Sequence, residues 1–321
     1  MAAFITRRVL LGILVLWLVT VIVYLIFYVG PGSADVARAL AGRTASPETV
    51  QLISHRLLLD RPWYAQYWHF LTQLMRGNLG YDYYHDQAVT TIIAQAFPIT
   101  LSLVVGAAPL WLLMGVLSGV YSAVHPRSIL DRVFTGLALL FYSMPTFVLG
   151  LLLVLLLYYE LTIHGYAWFP GSGYTPLTQD PFQWFRGLIL PWFTLALVSA
   201  GAYTRLTRTS MLEVLGEDYL RTARAKGVKE RRVIFHHGLR AAITPVVTQF
   251  GIDTGSLIGG AVITEQVFGL PGLGYTAVHA IEQQDLPVII GIVLVASTAV
   301  VVANIVVDVI YALLDPRVHL N

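Results

Sequence analysis

The sequence predicts an all-α polytopic membrane protein with six transmembrane helices and both termini in the cytoplasm. Three observations carry that expectation. Of 321 residues, 56% are hydrophobic and 12% charged, against roughly 25% charged in an ordinary soluble domain. So little charge cannot solvate a soluble surface, which argues against a soluble enzyme, a disordered chain and a nucleic-acid binder. Six stretches are apolar enough to cross a hydrocarbon core about 30 Å thick, which takes roughly 20 helical residues. The basic residues are distributed unevenly between alternate connections.

The spans, in order, are Val9 to Val29, Pro98 to Val124, Val133 to Tyr159, Gly187 to Thr204, Ala241 to Thr264 and Leu286 to Leu314. The first four carry no charge; the last two contain one acid each, Asp253 and Asp308. Lipid offers no partner to free backbone groups, so the spans are helical. No alternation of the kind a β-barrel strand needs is present. The first span has a basic start (Arg7, Arg8) and is followed by Gly32-Ser33-Ala34, which suggests a cleaved signal. Its apolar run exceeds a signal core of roughly 7–15 residues, so it reads as a retained helix.

With the N-terminus inside, 14 of the 20 basic residues fall on the cytoplasmic side, nine of them between 205 and 240. That asymmetry orients the chain. The absence of cysteine excludes disulfides, thiolate nucleophiles and thiolate metal sites.

Three parts follow: 1–29 as N-terminus and first span, 30–97 as an extracytoplasmic insertion, and 98–321 as the core. In the insertion, Ser46-Pro47-Glu48 reads as an N-cap with proline at the first helical position. Trp63, Tyr64, Tyr67, Trp68, Tyr81, Tyr83 and Tyr84 form an aromatic band. It suits a headgroup belt or a surface that meets substrate or a partner. Gly30-Pro31-Gly32 ends the first helix, and Pro170-Gly171-Ser172-Gly173 marks a second, turn-rich outer loop.

The 205–240 loop is too long for a turn and too polar to insert. Acids at Glu217 and Asp218 favour a helix N-terminus. Gly227 after basic residues looks like a C-terminal cap, and a second short helix runs from Lys229 to about Leu239. Leu220, Ala223 and Gly227 share one face, with the bases elsewhere. Physically, this helix–Gly–helix hairpin is either a topogenic loop on anionic lipid or a docking element.

Asp218-Tyr219-Leu220-Arg221-Thr222-Ala223-Arg224-Ala225-Lys226-Gly227 resembles the "EAA" loop of permease subunits from binding-protein-dependent ABC importers. More narrowly, it is similar to the dipeptide/oligopeptide permease family. Flanking segments fit in order: Arg205 to Leu215, Leu257 to Val262, Thr264-Glu265-Gln266-Val267-Phe268, Pro271-Gly272-Leu273-Gly274 and Tyr311 to Arg317. Pro98-Ile99-Thr100-Leu101, Ser143 to Phe147 and Phe169 to Tyr174 fit more weakly. The initial Glu-Ala-Ala is replaced by Arg221-Thr222-Ala223, and Ile-x-Leu-Pro by His237-Gly238-Leu239-Arg240.

The resemblance implies a type I importer permease fold, with Asp218, Tyr219, Arg221, Thr222, Ala223, Arg224, Ala225, Lys226 and Gly227 coupling to an ATPase. It implies a second homologous permease in a heterodimer, two ATP-binding subunits holding ATP and magnesium, and an extracytoplasmic binding protein. Lipid is the remaining partner, and no nucleic acid is expected. The expected activity is peptide import by alternating access, without chemistry or cofactor in this chain. Nickel, glutathione or haem are alternative cargoes within the same family look. Independently, neither lysine, Lys226 nor Lys229, stands in a phosphate-binding Gly-x-x-x-x-Gly-Lys-Ser/Thr loop, so the ATPase must be another chain.

Asp253 and Asn304, with Glu265, Phe268 and Pro271 in the connection between the last two spans, are the pathway and gate candidates. Intramembrane acids default to function; Gly251, Gly255 and Gly259 make a small-residue face beside Asp253. The acids also raise a proton-coupled secondary transporter, though the halves show no mutual similarity. No Gly-x-Ser-x-Gly elbow and no His-Glu-x-x-His motif supports a hydrolase. His236-His237 points to different helix faces, a poor chelate. His55, His69 and His85 are weak candidates for a haem or metal contact.

Overall fold

The computed structural model describes residues 2–29, 37–38, 46–56, 58–82, 85–259 and 261–314; the side chains of 2–4, 53, 56 and 310–314 lie outside it. Residues 30–34, Tyr83, Tyr84, Gly260 and 315–317, singled out above, also fall outside the described residues.

Helix α1 (Ala2–Tyr24) continues as a π-helical turn, Leu25–Val29. In the insertion, α2 (Pro47–Arg56) starts as expected: the Thr49 amide donates to the Ser46 hydroxyl at 3.2 Å. Helix α3 (Trp63–Met75) and a two-residue hairpin follow, β1 (Tyr81–Asp82) paired antiparallel with β2 (Gln87–Ala88). The aromatic band divides. Tyr67 stacks edgewise on Tyr24 of the first span at 5.2 Å, while Trp63, Tyr64 and Trp68 remain exposed.

The second span is longer than its apolar core. Helix α4 (Val89–Val124) runs without a break through Pro98 and Pro109, so the 97/98 boundary falls inside a helix. The third span departs most from expectation. The uncharged run 133–159 divides into α5 (Ile129–Ser143) and α6 (Thr146–Ile163). Pro145 has no amide to donate and drives Met144 to extended backbone (φ −86°, ψ 128°), which stops the first helix. The crossing helix is α6, of 18 residues.

Helix α7 (Pro181–Leu215) begins at an Asp180 cap, whose carboxylate accepts the Phe182 and Gln183 amides. It absorbs the first eleven residues of the loop expected from 205. The rest of that loop is α8 (Asp218–Ala225) and a continuous helical stretch α9, residues 230–242. The fifth span is α10 (Thr244–Ile258) and α11 (Val262–Phe268), bent by 56° at the break between them. Helix α12 (Leu273–Gln283) lies within the connection expected between the last two spans, and α13 (Leu286–Leu314) follows. Among the described residues, five helices are long and apolar enough to cross a membrane, six if the bent pair is one span. The all-α polytopic expectation holds.

Helices α4 and α7 form the centre and run parallel. A Cβ on Gly115 would lie 2.3 Å from the Tyr203 Cβ, and one on Gly119 2.6 Å from the Thr207 Cβ. In lipid, apolar transfer does not drive helices together, so close backbone approach and interhelical hydrogen bonds hold them. Ser118 and Thr204 exchange such a bond at 2.7 Å. Trp111, Tyr203, Leu103, Phe268 and Leu270 fill the core around the pair.

Candidate functional site

The hairpin is built as a rigid lever. Gly216 ends α7, and Glu217 turns extended (φ −70°, ψ 145°) before Asp218 opens α8. Leu220 is fully buried and Ala223 half-buried. Asp218, Tyr219, Arg221, Thr222, Arg224, Ala225, Lys226 and Gly227 are all exposed. Gly227 therefore does not share the packing face the spacing assigned to it.

Its role is conformational. Gly227 has φ +77°, its amide donates to the Arg224 carbonyl at 2.9 Å, and the Val228 amide donates to the Ala223 carbonyl at 3.2 Å. This pair of bonds is a Schellman cap, in which a glycine takes the left-handed position without strain. Across the turn, Arg224 Nη2 donates to the Glu230 carboxylate at 2.9 Å and Nε lies 3.2 Å from both oxygens. The guanidinium holds the Glu230 carboxyl below its usual range.

The second arm is anchored by Val233 and Ile234, both buried; Ile234 packs with Val120, Ala123 and Met211 at the ends of α4 and α7. Beside it an apolar groove of about 680 Å³ is lined by Tyr121, Phe134, Phe141 and Phe235. Nearby, Arg208 of α7 pairs with Asp131 at the start of α5 (Nε to Oδ1, 3.1 Å). Asp131 also accepts the Arg127 amide. Chiefly through the Arg208 hydrogen bond, its carboxyl is held below the usual range. Composition and spacing gave no signal for this clamp.

The gate candidates do not gather in one place. Glu265 and Phe268 are buried, at 0% and 3% exposure, whereas Pro271 is exposed. The Glu265 carboxylate accepts the Thr100 hydroxyl at 2.6 Å and the Tyr275 amide at 2.8 Å. Thr100 in turn accepts the Leu273 amide at 2.8 Å. The acid thus sits on the N-terminus of α12, where free amides and the helix dipole favour negative charge. The sequence alone places Glu265 in the connection between the last two spans, with no sign of its burial.

Asp253 and Asn304 lie elsewhere, on α10 and α13. The Asp253 carboxylate accepts the Tyr203 hydroxyl at 2.8 Å and the Gln249 side-chain amide at 2.8 Å. The glycine face of α10 packs on α13: a Cβ on Gly251 would lie 2.0 Å from Val307, and one on Gly255 3.2 Å from the Asn304 Oδ1. Asp308 is paired instead, with Arg8 Nε at 3.1 Å, tying α13 to α1.

Of the outer histidines, His55 lies 3.9 Å from Asp60. His85 Nδ1 lies 2.7 Å from the Asp82 carboxylate. Asp285, just before α13, completes this group: the three side chains offer polar atoms within 4.8 Å of one another. Burial, and then its hydrogen bond with Asp82, push the Asp285 carboxyl up to about 6. The cluster escaped sequence reasoning because about 200 residues separate its members.

Residues 115–320 match the family described as binding-protein-dependent transport system inner membrane component. Residues 1–104 match the N-terminal family of the same membrane components. The chain is 41% identical over 319 residues to a protein of Brucella suis biovar 1 named as a peptide transport system permease, covering 99% of both chains. It is 37% identical to a peptide ABC transporter permease of Sinorhizobium fredii, covering 99% of this chain and 100% of that one. It is also 37% identical to the glutathione transport system permease of Escherichia coli K12, covering 99% of both. The chain therefore belongs to the inner membrane components of binding-protein-dependent transport systems, the multi-pass permeases of ABC importers.

Proposed function

We propose that the chain is one half of the translocation pathway of an ATP-driven importer of di- and oligopeptides in a bacterial or archaeal cytoplasmic membrane. The carrying observation is the hairpin. Residues 218–227 expose nearly every side chain, yet Leu220 and Val233 are buried and Ile234 packs at the ends of α4 and α7. An exposed, well-anchored helix transmits a push to a helix bundle better than a flexible loop does.

On this reading, two ATP-binding subunits hold ATP and magnesium and close on this hairpin and on that of a second, homologous permease. Closure reorients the spans between inward- and outward-facing states, and an extracytoplasmic binding protein delivers cargo. The chain itself is non-catalytic. The peptide and glutathione names of its relatives agree on cargo with a peptide backbone.

The test is uptake into proteoliposomes holding the assembled complex and binding protein. Labelled dipeptide accumulates with ATP inside the ATPase compartment and not with a non-hydrolysable analogue. Uptake driven by a proton gradient without ATP overturns the reading in favour of secondary transport. ATP-driven uptake of nickel or haem in place of peptide overturns its cargo.

A further inference from the structure

We propose that Asp253 is a transit site for a primary ammonium, the free amino terminus of the translocated peptide. This rests on the peptide-importer reading above.

The structure treats the two acids of the last two apolar runs, Asp253 and Asp308, differently. Asp308 has a cation, Arg8, at 3.1 Å. Both hydrogen bonds to Asp253 come from neutral groups, the Tyr203 hydroxyl and the Gln249 amide. Among the described residues no basic side chain pairs with it. A charge within a bilayer is costly and is normally matched. Two neutral donors orient the carboxylate without neutralising it. A carboxylate accepts at about four positions, so acceptor sites remain for an incoming donor. No described residue supplies the matching positive charge.

The setting suits something that moves. Gln249, Asp253 and Ser256 recur at i, i+4 and i+7, which puts them on one stripe of α10. Gln249 and Ser256 are exposed and Asp253 half-exposed; Asn304, beside Gly255, is exposed as well. A polar stripe at this depth belongs against water or protein, not lipid. The Tyr203 donor is held firmly: it is 1% exposed, its ring 6.4 Å from that of Trp111, which packs on Phe250 at 5.8 Å. A free amino terminus is the one positive group that all unmodified peptides share whatever their side chains. A single fixed carboxylate among neutral hydrogen-bonding groups matches cargo of that kind.

The experiment uses the assembled transporter in proteoliposomes, with isotope-labelled alanyl-phenylalanine, its N-acetyl counterpart and a zero-length carbodiimide, followed by peptide mapping. An amide between the Asp253 carboxyl and the dipeptide amine is expected. It should be absent with the acetylated peptide and in Asp253→Asn. Uptake by Asp253→Asn should fall about tenfold or more, in line with loss of a charge-assisted hydrogen bond, while Asp253→Glu keeps part of it. Dipeptide uptake without an Asp253 adduct overturns the ammonium site alone. An adduct to a lysine of the second permease overturns it too, and makes Asp253 an interface residue. Failure of the wild-type complex to import dipeptide overturns the peptide reading itself.

Discussion

The hydroxyl of Thr100 donates to the carboxylate of Glu265 at 2.6 Å, across 165 residues of chain. The bond joins the second span to α11, beside the start of α12. Thr100 and Glu265 are both fully buried, and together they satisfy the amides of Leu273 and Tyr275. Removing either partner strands buried polar groups, at a cost of about 1–3 kcal/mol each. Thr100→Val and Glu265→Ala are each expected to lower the melting temperature of the detergent-solubilised complex. The double variant should lose less than the two losses added, because both act on one network. Strict additivity in a thermal-shift cycle would mean that the two residues act separately.

Gly227 tests the cap. A Cβ there meets nothing within 4 Å, so space is not the constraint; φ of +77° is. Gly227→Val should cost about 1–2 kcal/mol of local strain, and Gly227→Asn less. The complex should assemble, with faster amide exchange over 218–230 and weaker coupling of ATP hydrolysis to uptake. Normal uptake by an assembled Gly227→Val complex would show that the turn's shape does not matter for coupling.

Arg224 has two candidate roles, which a charge swap separates. The pair with Glu230 is solvent-exposed, so its own contribution to stability is under about 1 kcal/mol. Arg224→Glu should uncouple ATP hydrolysis from transport. If the pair acts by closing the hairpin, Arg224→Glu combined with Glu230→Arg restores most uptake. If Arg224 instead meets the ATPase directly, the swap restores nothing. ATPase rate and uptake measured on the same proteoliposomes read out the difference.

How much was legible in the sequence depended on the length scale. Apolar runs located every span, since lipid permits little else. The breaks were harder to see. Pro98 and Pro109 sit inside α4 without stopping it, while Pro145 ends α5; local sequence does not say which prolines neighbouring helices will accommodate. The Gly227 cap was readable because it is made within five residues. The burial of Glu265 was not legible, because its partners Thr100, Leu273 and Tyr275 become neighbours only in the fold. Tyr203 beside Asp253 and Arg208 beside Asp131 escaped for the same reason.

Two acids outside the spans give opposite pH dependences. Asp131 has its carboxyl held below the usual range by Arg208. Its contribution to stability is present above the unfolded-state value, near 4, and is lost as pH falls through the lower folded one. Asp285 is raised to about 6 by burial beside Asp82. Its contribution is complete below the unfolded value near 4 and is lost as pH rises through about 6. The junction of the β1–β2 hairpin with α13 should therefore be tightest in acid and loosen between about pH 4 and 6, while the Arg208–Asp131 clamp holds across that window. Hydrogen exchange at fixed pH, corrected for the intrinsic rate, resolves the two regions. Asp285→Asn should flatten the pH dependence at residues 81–88 and 285–290 and leave 127–135 unchanged. An unaltered profile at 81–88 in that variant would mean that Asp285 does not set the dependence there.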